Sequence, residues 1–433
     1  MKFPDKQPIE LSRRQFLVRS GAALACVSLT GCVAGRISPN ARLNLGIIGT
    51  AHRAGDDLEY VSTENIVALC DVDETYLAAA RQKFPKAAGY ADFRKMLERN
   101  DLDAVVVGTP DHTHAVAAVA ALQSGRHVYC EKPLAHTVSE ARRIAEVARH
   151  ERRVTQLGTQ IHAGNNYHQV VKVIQSGAIG SVREVHVWVH SVYTADGLPS
   201  GHPPVPAGLD WDLWLGPVQP RAYSPEYVPK HWRRYWAFGG GTLSDFGCHY
   251  MDLPNWALGL RYPLSVETEG PPVNTEGTPE WLIAHYEYPT VKLTWYHGTR
   301  DGKAVLPPPI AGVELSDWSN GVLFIGDKGM LAADYFKYVL LPKENFPAHI
   351  EILRKDDDYE RKHHQEWIAA IKTGGATSCN FDYSGALTEA ALLGNAAYRS
   401  GGKIVWEPVN LKAIGNPAAE EYIQHHYRPG WKI

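Results

Sequence analysis

Neither sign of charge dominates this chain of 433 residues, in which 44 Lys and Arg face 47 Asp and Glu for a formal net charge of −3. A nucleic-acid-binding surface shows as a clustered basic excess, whereas here basic residues come in short pairs such as Arg233-Arg234, which excludes that class. Cysteine is scarce: six residues, none in a C-x-x-C pair, with Cys26 and Cys32 near the start and Cys70, Cys130, Cys248 and Cys379 beyond. Cys70 and Cys130 fall in apolar runs, where a small buried thiol is the ordinary outcome, so neither a disulfide framework nor a zinc or other metal site is expected. Past residue 35 no run approaches the ~20 apolar residues needed to span a bilayer. What the chain does have is 44% hydrophobic and 21% charged residues, a globular balance, and length for two or three domains.

The first residues stand apart. Ser12-Arg13-Arg14-Gln15-Phe16-Leu17 precedes a modest apolar run from Gly21 to Leu29, which resembles a twin-arginine export signal. The run ends in Leu29-Thr30-Gly31-Cys32, similar to a bacterial lipobox, in which Cys32 would be acylated. Residues 1–31 are therefore expected to be an export signal and 32–42 a lipidated tether of about 35 Å, leaving the folded body periplasmic and held to the membrane by its lipid alone. The alternative is a short N-terminal membrane or amphipathic helix that is never removed.

From Leu43 onward short apolar runs (43–49, 65–71, 103–109, 126–131 and 154–160) alternate with helical patterns (75–84, 92–99, 112–124 and 137–150), the signature of a parallel α/β sheet. Thr137-Val138-Ser139-Glu140 reads as a capping box. The alternation predicts a doubly wound nucleotide-binding domain over 43–160. Its first run ends at Gly49 and its second at Asp71, the spacing at which a carboxylate meets the adenosine ribose of NAD and repels the extra phosphate of NADP. The glycine fingerprint departs from G-x-G-x-x-G, with Gly49, Thr50, Ala51, His52, Arg53, Ala54 and then Gly55 one place late. On this loop alone a flavodoxin-like domain without a dinucleotide stays open.

Two further constellations lie at predicted strand ends, Gly108-Thr109-Pro110-Asp111-His112-Thr113-His114 and Glu131-Lys132-Pro133, where open α/β sheets bind ligands. Beyond them runs Phe238-Gly239-Gly240-Gly241-Thr242-Leu243-Ser244-Asp245-Phe246-Gly247-Cys248-His249. With Phe381-Asp382-Tyr383 and the helical pattern 387–399, these segments resemble the Gfo/Idh/MocA superfamily over about residues 42–408. The resemblance implies a Rossmann domain followed by a C-terminal α/β domain on an open, mostly antiparallel sheet (161–408), with 409–433 as a tail. It also implies that Lys132 points to the nicotinamide and substrate, that Pro133 follows a cis peptide, that Asp245 and His249 are the catalytic pair on a helix, and that the protein is a homo-oligomer built through the open sheet face.

The same residues make chemical sense. Hydride transfer from a sugar carbon requires the hydroxyl proton to leave, so a base of near-neutral pKa is needed, and His249 suits that role. Lys132 stabilises the developing alkoxide. Asp245, four residues before His249 and on the same helix face, either orients that ring, holds a second substrate hydroxyl, or merely complements the helix dipole. Thr109, Pro110, His112, His114, Glu131 and Gln160 are expected to line the cofactor pocket with residues 49–53 and Asp71, and His363-His364 to lie on a solvated helix face. The Pro- and aromatic-rich segment 202–236, with Trp211, Trp214, Trp232 and Trp236, offers either flat faces for a sugar or packing for a second core. Trp232, Arg233, Tyr235 and His162 are the substrate-binding candidates.

Export bears on mechanism, because no NAD pool exists outside the cytoplasm to exchange with. The expected function is thus hydride transfer at a sugar hydroxyl with a tightly retained NAD in a redox-neutral cycle. Glycoside cleavage through a 3-keto intermediate is one form, which some exported superfamily members use; epimerisation and coupled oxidoreduction are others. A conventional NAD(P)-dependent sugar or polyol dehydrogenase and a non-catalytic sugar-binding lipoprotein are the alternatives.

Overall fold

The computed structural model describes residues 41–433 apart from 311–317, 343, 347–349 and 353–357. The expected export signal, Cys32 and most of the tether lie outside the described residues. Among the described helices none is long and apolar enough to cross a membrane.

Six strands form the first sheet: β1 (Asn44–Ile48), β2 (Asn65–Cys70), β3 (Ala88–Tyr90), β4 (Ala104–Val107), β5 (His127–Glu131) and β6 (Thr155–Gly158). All pair in parallel in the order β3-β2-β1-β4-β5-β6, the doubly wound arrangement read from the sequence. The register sets Ile48 beside Cys70 and Val107, and Val107 beside Cys130. Residues 49, 71, 108–109 and 131–132 consequently emerge along one sheet edge.

The helices of this half are α1 (Arg53–Tyr60), α2 (Glu74–Lys83), α3 (Phe93–Met96), α4 (Asp111–Gln123) and α5 (Val138–Glu151). The Thr137 side chain accepts from the Glu140 amide while Glu140 reaches back to the Thr137 amide, completing the expected capping box. Strand β3 and helix α1 carry no sequence pattern strong enough to predict them: one is three residues long, and the other contains Gly55 and three acids.

In the second half, α6 (Asn165–Gln175) leads to a large mixed sheet of β7 (Val182–Val189), β8 (Ser265–Glu269), β9 (Trp281–Glu287), β10 (Lys292–Arg300), β11 (Lys303–Ala304), β12 (Asn320–Gly326), β13 (Met330–Ala333), β14 (Lys337–Leu341), β15 (Ile350–Ile352), β16 (Ile404–Glu407) and β17 (Lys412–Ile414). Its path is β15-β14-β13-β12-β7-β10-β9-β8-β16-β17, with β11 on β10. The β7–β10 pair is parallel and its other ladders are antiparallel. The remaining helices are α7 (Trp211–Leu215), α8 (Gly241–Tyr250), α9 (Asp252–Leu258), α10 (Tyr359–Thr373), α11 (Phe381–Ser400) and α12 (Glu420–Ile423).

Two of these helices tie the halves together. Trp367, Ile368 and Ile371 of α10 pack with Leu45, Ile47, Val106 and Tyr129 of the first sheet, so a helix from late in the chain closes one Rossmann face. Helix α11 is buried along most of its length, in one continuous core that holds both Val107 of the first sheet and Leu293 of the second. Burying both ends of that core in one apolar mass fixes the cleft between them. His363 and His364, expected on a solvated face, are fully buried here. His363 Nε2 meets Leu157 O at 2.7 Å, and the His364 ring stacks on Tyr129 with Nε2 3.1 Å from Asp57.

Candidate active site

The sheet edge opens into a cavity of about 920 Å³, at the upper end of the ~300–1,000 Å³ usual for ligand pockets. On its Rossmann side lie Gly49, Thr50, Ala51, His52 and Arg53, with Asp71, Thr109, Pro110, Glu131, Lys132 and Gln160. Trp232, Arg233, Asp245 and His249 close it from the other half. One cavity thus gathers most of the residues that the sequence singled out.

Gly49 has φ +85°, and a Cβ there would lie 2.9 Å from Gly108 O, so glycine is needed for both conformation and space. The missing glycine at position 54 is compensated across the contact: a Cβ on Gly108 would fall 2.6 Å from that of Ala54. Close packing of α1 on the sheet is therefore kept with the glycine on β4's exit instead of on the helix. Asp71 Oδ2 accepts from the Thr50 amide and hydroxyl, both at 2.9 Å, which anchors the loop to β2. Burial raises the Asp71 carboxyl, opposed by the Asp73 and Thr50 amides. A tight Gly49 turn, a helix N-terminus and a carboxylate one strand away are the fittings an adenine dinucleotide needs. Arg53 lines the same wall, but its guanidinium is held by Glu360 at 2.9 Å, Asp57 at 3.0 Å and Glu131 at 3.3 Å. Gln160 donates to Glu131 at 2.5 Å, and burial followed by Asp57 pushes the Glu131 carboxyl up to about 8.

At the junction of the halves Lys132 Nζ donates to Asp245 Oδ1 at 2.6 Å, and Arg233 Nε donates to the same oxygen at 3.0 Å. Burial alone would raise the Asp245 carboxyl, but the charges of Lys132 and Arg233 outweigh it and hold it well below the usual range. Asp245 is expected to orient His249 or hold a substrate hydroxyl; the contacts it makes in the structure are to the two cations. The peptide before Pro133 is cis, as the resemblance implies. His249 lies one helical turn beyond Asp245 on α8, with Nδ1 buried and lacking a hydrogen-bond partner among the described residues. Its pKa is not near neutrality: burial, then Lys132, lower it to about 3, leaving a neutral imidazole.

Four candidates lie elsewhere. His112 Nε2 is 2.8 Å from Trp214 O, and His114 bridges Pro133 O and Thr109 O at 2.7 Å each. Both are buried in α4 behind the cavity wall, brace the two loops from behind and do not line the pocket. Burial lowers each to about 4. His162 points away from the cleft, stacked on Trp256 with Nδ1 2.9 Å from Asp252. That pair and Cys379 bring three potential ligand atoms within 4.8 Å, a grouping the sequence did not disclose. Tyr383 donates to Asp252 at 2.6 Å, so the cluster is already an internal hydrogen-bond network. Tyr235 is buried edge-on against Tyr227. Trp211 stacks on Trp214, and Trp214 meets Phe238, so this segment is mainly a satellite core that shows Trp214 and Trp232 to the cavity.

Sequence reasoning missed Asp111, Tyr193, Tyr335 and Glu360, all in the cavity wall. Asp111 belonged to a quoted motif whose histidines drew the attention; the others sit in segments without a local signature.

Two family models match the chain: an oxidoreductase family's NAD-binding Rossmann fold over residues 43–159, and its C-terminal alpha/beta domain over 163–302. Among curated relatives, inositol 2-dehydrogenase of Salmonella typhimurium is 33% identical over 150 residues, 33% of this chain and 45% of that protein. The alpha-N-acetylgalactosaminidase of Shewanella oneidensis is 29% identical over 163 residues, 35% of this chain and 36% of that one. The chain thus spans less than half the length of these relatives. Among solved structures, aldose-aldose oxidoreductase from Caulobacter crescentus, complexed with glycerol, gives a TM-score of 0.60 at 17% identity, covering 84% of this chain and 99% of its own. Levoglucosan dehydrogenase, in complex with NADH and L-sorbose, gives 0.62 at 15%, covering 84% and 98%. At such identity these structures speak to fold alone. With both halves matched in order by the paired family models, the chain belongs to the Gfo/Idh/MocA oxidoreductase family, whose N-terminal domain is an NAD-binding Rossmann fold.

Proposed function

We propose that this protein is an exported, NAD-dependent carbohydrate-active enzyme that works at a sugar hydroxyl and keeps its cofactor through a redox-neutral cycle. The observation carrying the proposal is the single cavity that joins the Gly49 turn and Asp71 to Lys132, Asp245 and His249. Gly49 to Arg53 and Asp71 would hold the dinucleotide's pyrophosphate and ribose, with Thr109, Pro110 and Lys132 toward its reactive end. When bound, NAD supplies a reversible hydride acceptor. His249, held neutral by burial and Lys132, would take the hydroxyl proton as the negative charge growing on that oxygen offsets both and raises its basicity, while Lys132 stabilises the oxygen and Asp245 fixes Lys132 in place. A ketone on the sugar acidifies the neighbouring C2 hydrogen, which permits elimination at C1, addition of water and return to the alcohol level.

Glycoside hydrolysis is favoured over epimerisation by the likeness to the Shewanella oneidensis alpha-N-acetylgalactosaminidase and by the Tat-like, lipobox-containing N-terminus, which would carry the enzyme away from free NAD. The second reading, an ordinary sugar or polyol dehydrogenase, draws on the likeness to inositol 2-dehydrogenase. A panel of glycosides incubated in heavy-oxygen, deuterated water separates them. Hydrolysis through a ketone puts the label at C1 and deuterium at C2 without net NADH. An oxidised sugar and stoichiometric NADH would instead establish the dehydrogenase.

A further inference from the structure

One acid in the cleft is unused by that chemistry. Asp111 is the first residue of α4 and sits in the cavity wall with Lys132, Arg233, Asp245 and His249, only 2% exposed. Both nearby cations are committed to Asp245, at 2.6 and 3.0 Å. Asp111 makes no hydrogen bond or ion pair with another side chain among the described residues. A carboxyl group so enclosed either finds a partner or stays protonated. Burial pushes it well above the usual carboxylate range; Asp245 reinforces this, while Arg233, Lys132 and a hydrogen bond from its own backbone amide oppose it without overcoming it. Two carboxyls of one cleft are thus driven apart, Asp245 ionised by its cations and Asp111 holding its proton, the division of labour that acid–base chemistry requires.

We propose that Asp111 is the general acid of this cleft, delivering its proton to the glycosidic oxygen as the C1–O bond breaks. The inference rests on the hydrolytic reading given above. In the step, His249, having released the hydroxyl proton to solvent, takes the C2 proton of the 3-keto sugar. The C–H electron pair becomes the C1–C2 double bond, the C1–O pair leaves on oxygen, and that oxygen receives the Asp111 proton. When water adds at C1, Asp111 regains a proton from it and His249 returns one to C2, so both groups end as they began; the hydride retained on the cofactor would then go back to C3, and its oxygen takes back one solvent proton through His249. A plain dehydrogenase needs no acid at this position.

Leaving-group dependence tests the role. An aryl glycoside departs without protonation, whereas an alkyl glycoside needs it, so D111N is expected to lose about 100-fold or more on the alkyl substrate and far less on the aryl one. The wild-type alkyl rate should fall at alkaline pH as Asp111 ionises, and D111N should lack that limb. Persistence of C2 hydrogen exchange in deuterated water shows that the variant is folded and loaded. Equal losses on both substrates, or an alkaline limb retained in D111N, would overturn the assignment. Wild-type inactivity on both glycosides would overturn the hydrolytic reading, and the acid with it.

Discussion

A single carboxylate organises the centre of the cleft. Because Asp245 Oδ1 meets both Lys132 and Arg233, this one carboxylate on α8 aims a cation from the Rossmann half and another from the loop before its own helix, and the three groups together leave one net positive charge in the cleft. Removing Lys132 should therefore cost catalysis more than stability. Lys132→Met is predicted to cut turnover by about 100- to 1,000-fold while NAD retention and the melting temperature change little, as read by steady-state rates, cofactor content and thermal denaturation. Gly49→Val should do the reverse at the cofactor end: its Cβ cannot fit against Gly108 O, so NAD content should collapse. At this scale the shared face of Asp245 and His249 was readable from their spacing, whereas Lys132 and the cis peptide before Pro133 were legible only through the family resemblance. The sequence misled for His112, His114 and His162, since a histidine's type does not reveal which way its ring faces. Compensation of Ala54 by Gly108 was hidden for the same reason, being a contact between residues 54 positions apart.

Helix α11 works at a distance from the chemistry. Its Thr388 Oγ1 accepts from the Leu134 amide at 3.3 Å and lies 3.7 Å from Cys248 Sγ, touching the Lys132 loop and α8 at once. Thr388→Val would strand a buried amide at a cost of about 1–3 kcal/mol and is expected to lower kcat more than it raises KM, because the Lys132 loop loses its tether. Helix α10 is the other remote support. Trp367→Ala should cost about 3–5 kcal/mol, measured by denaturant unfolding, and should loosen the Arg53–Glu360 contact that α10 brings to the cofactor loop. Neither role was visible in the sequence. The strand–helix alternation of residues 43–160 is a local pattern and predicted most of its elements, but α10's placement on the Rossmann sheet is a long-range packing choice that no local period encodes. The second sheet was likewise known only through family resemblance, and its eleven strands include a parallel pair closed by more than 100 residues of intervening chain.

The molecule as a whole carries an acid sensitivity written by buried imidazoles. Burial lowers His112 and His114 to about 4 and His249 and His297 to about 3. The unfolded chain protonates these rings below about 6.5, whereas the folded chain resists until about 4 or 3. Between those limits the unfolded state binds more protons, so stability rises with pH across the window and is lost as pH falls through it. Melting temperatures from pH 7 to 4 should decline steadily, and H297N should flatten the decline. The proposed export places a second demand on the molecule as a whole. If the enzyme leaves the cytoplasm folded, it must take its NAD along and hold it through every turnover. The decisive measurement is to purify the exported protein, denature it and quantify the dinucleotide released. Close to one NAD per chain, with sustained turnover in the absence of added cofactor, is the predicted result. No dinucleotide on release, together with stoichiometric reduction of added NAD, would contradict it.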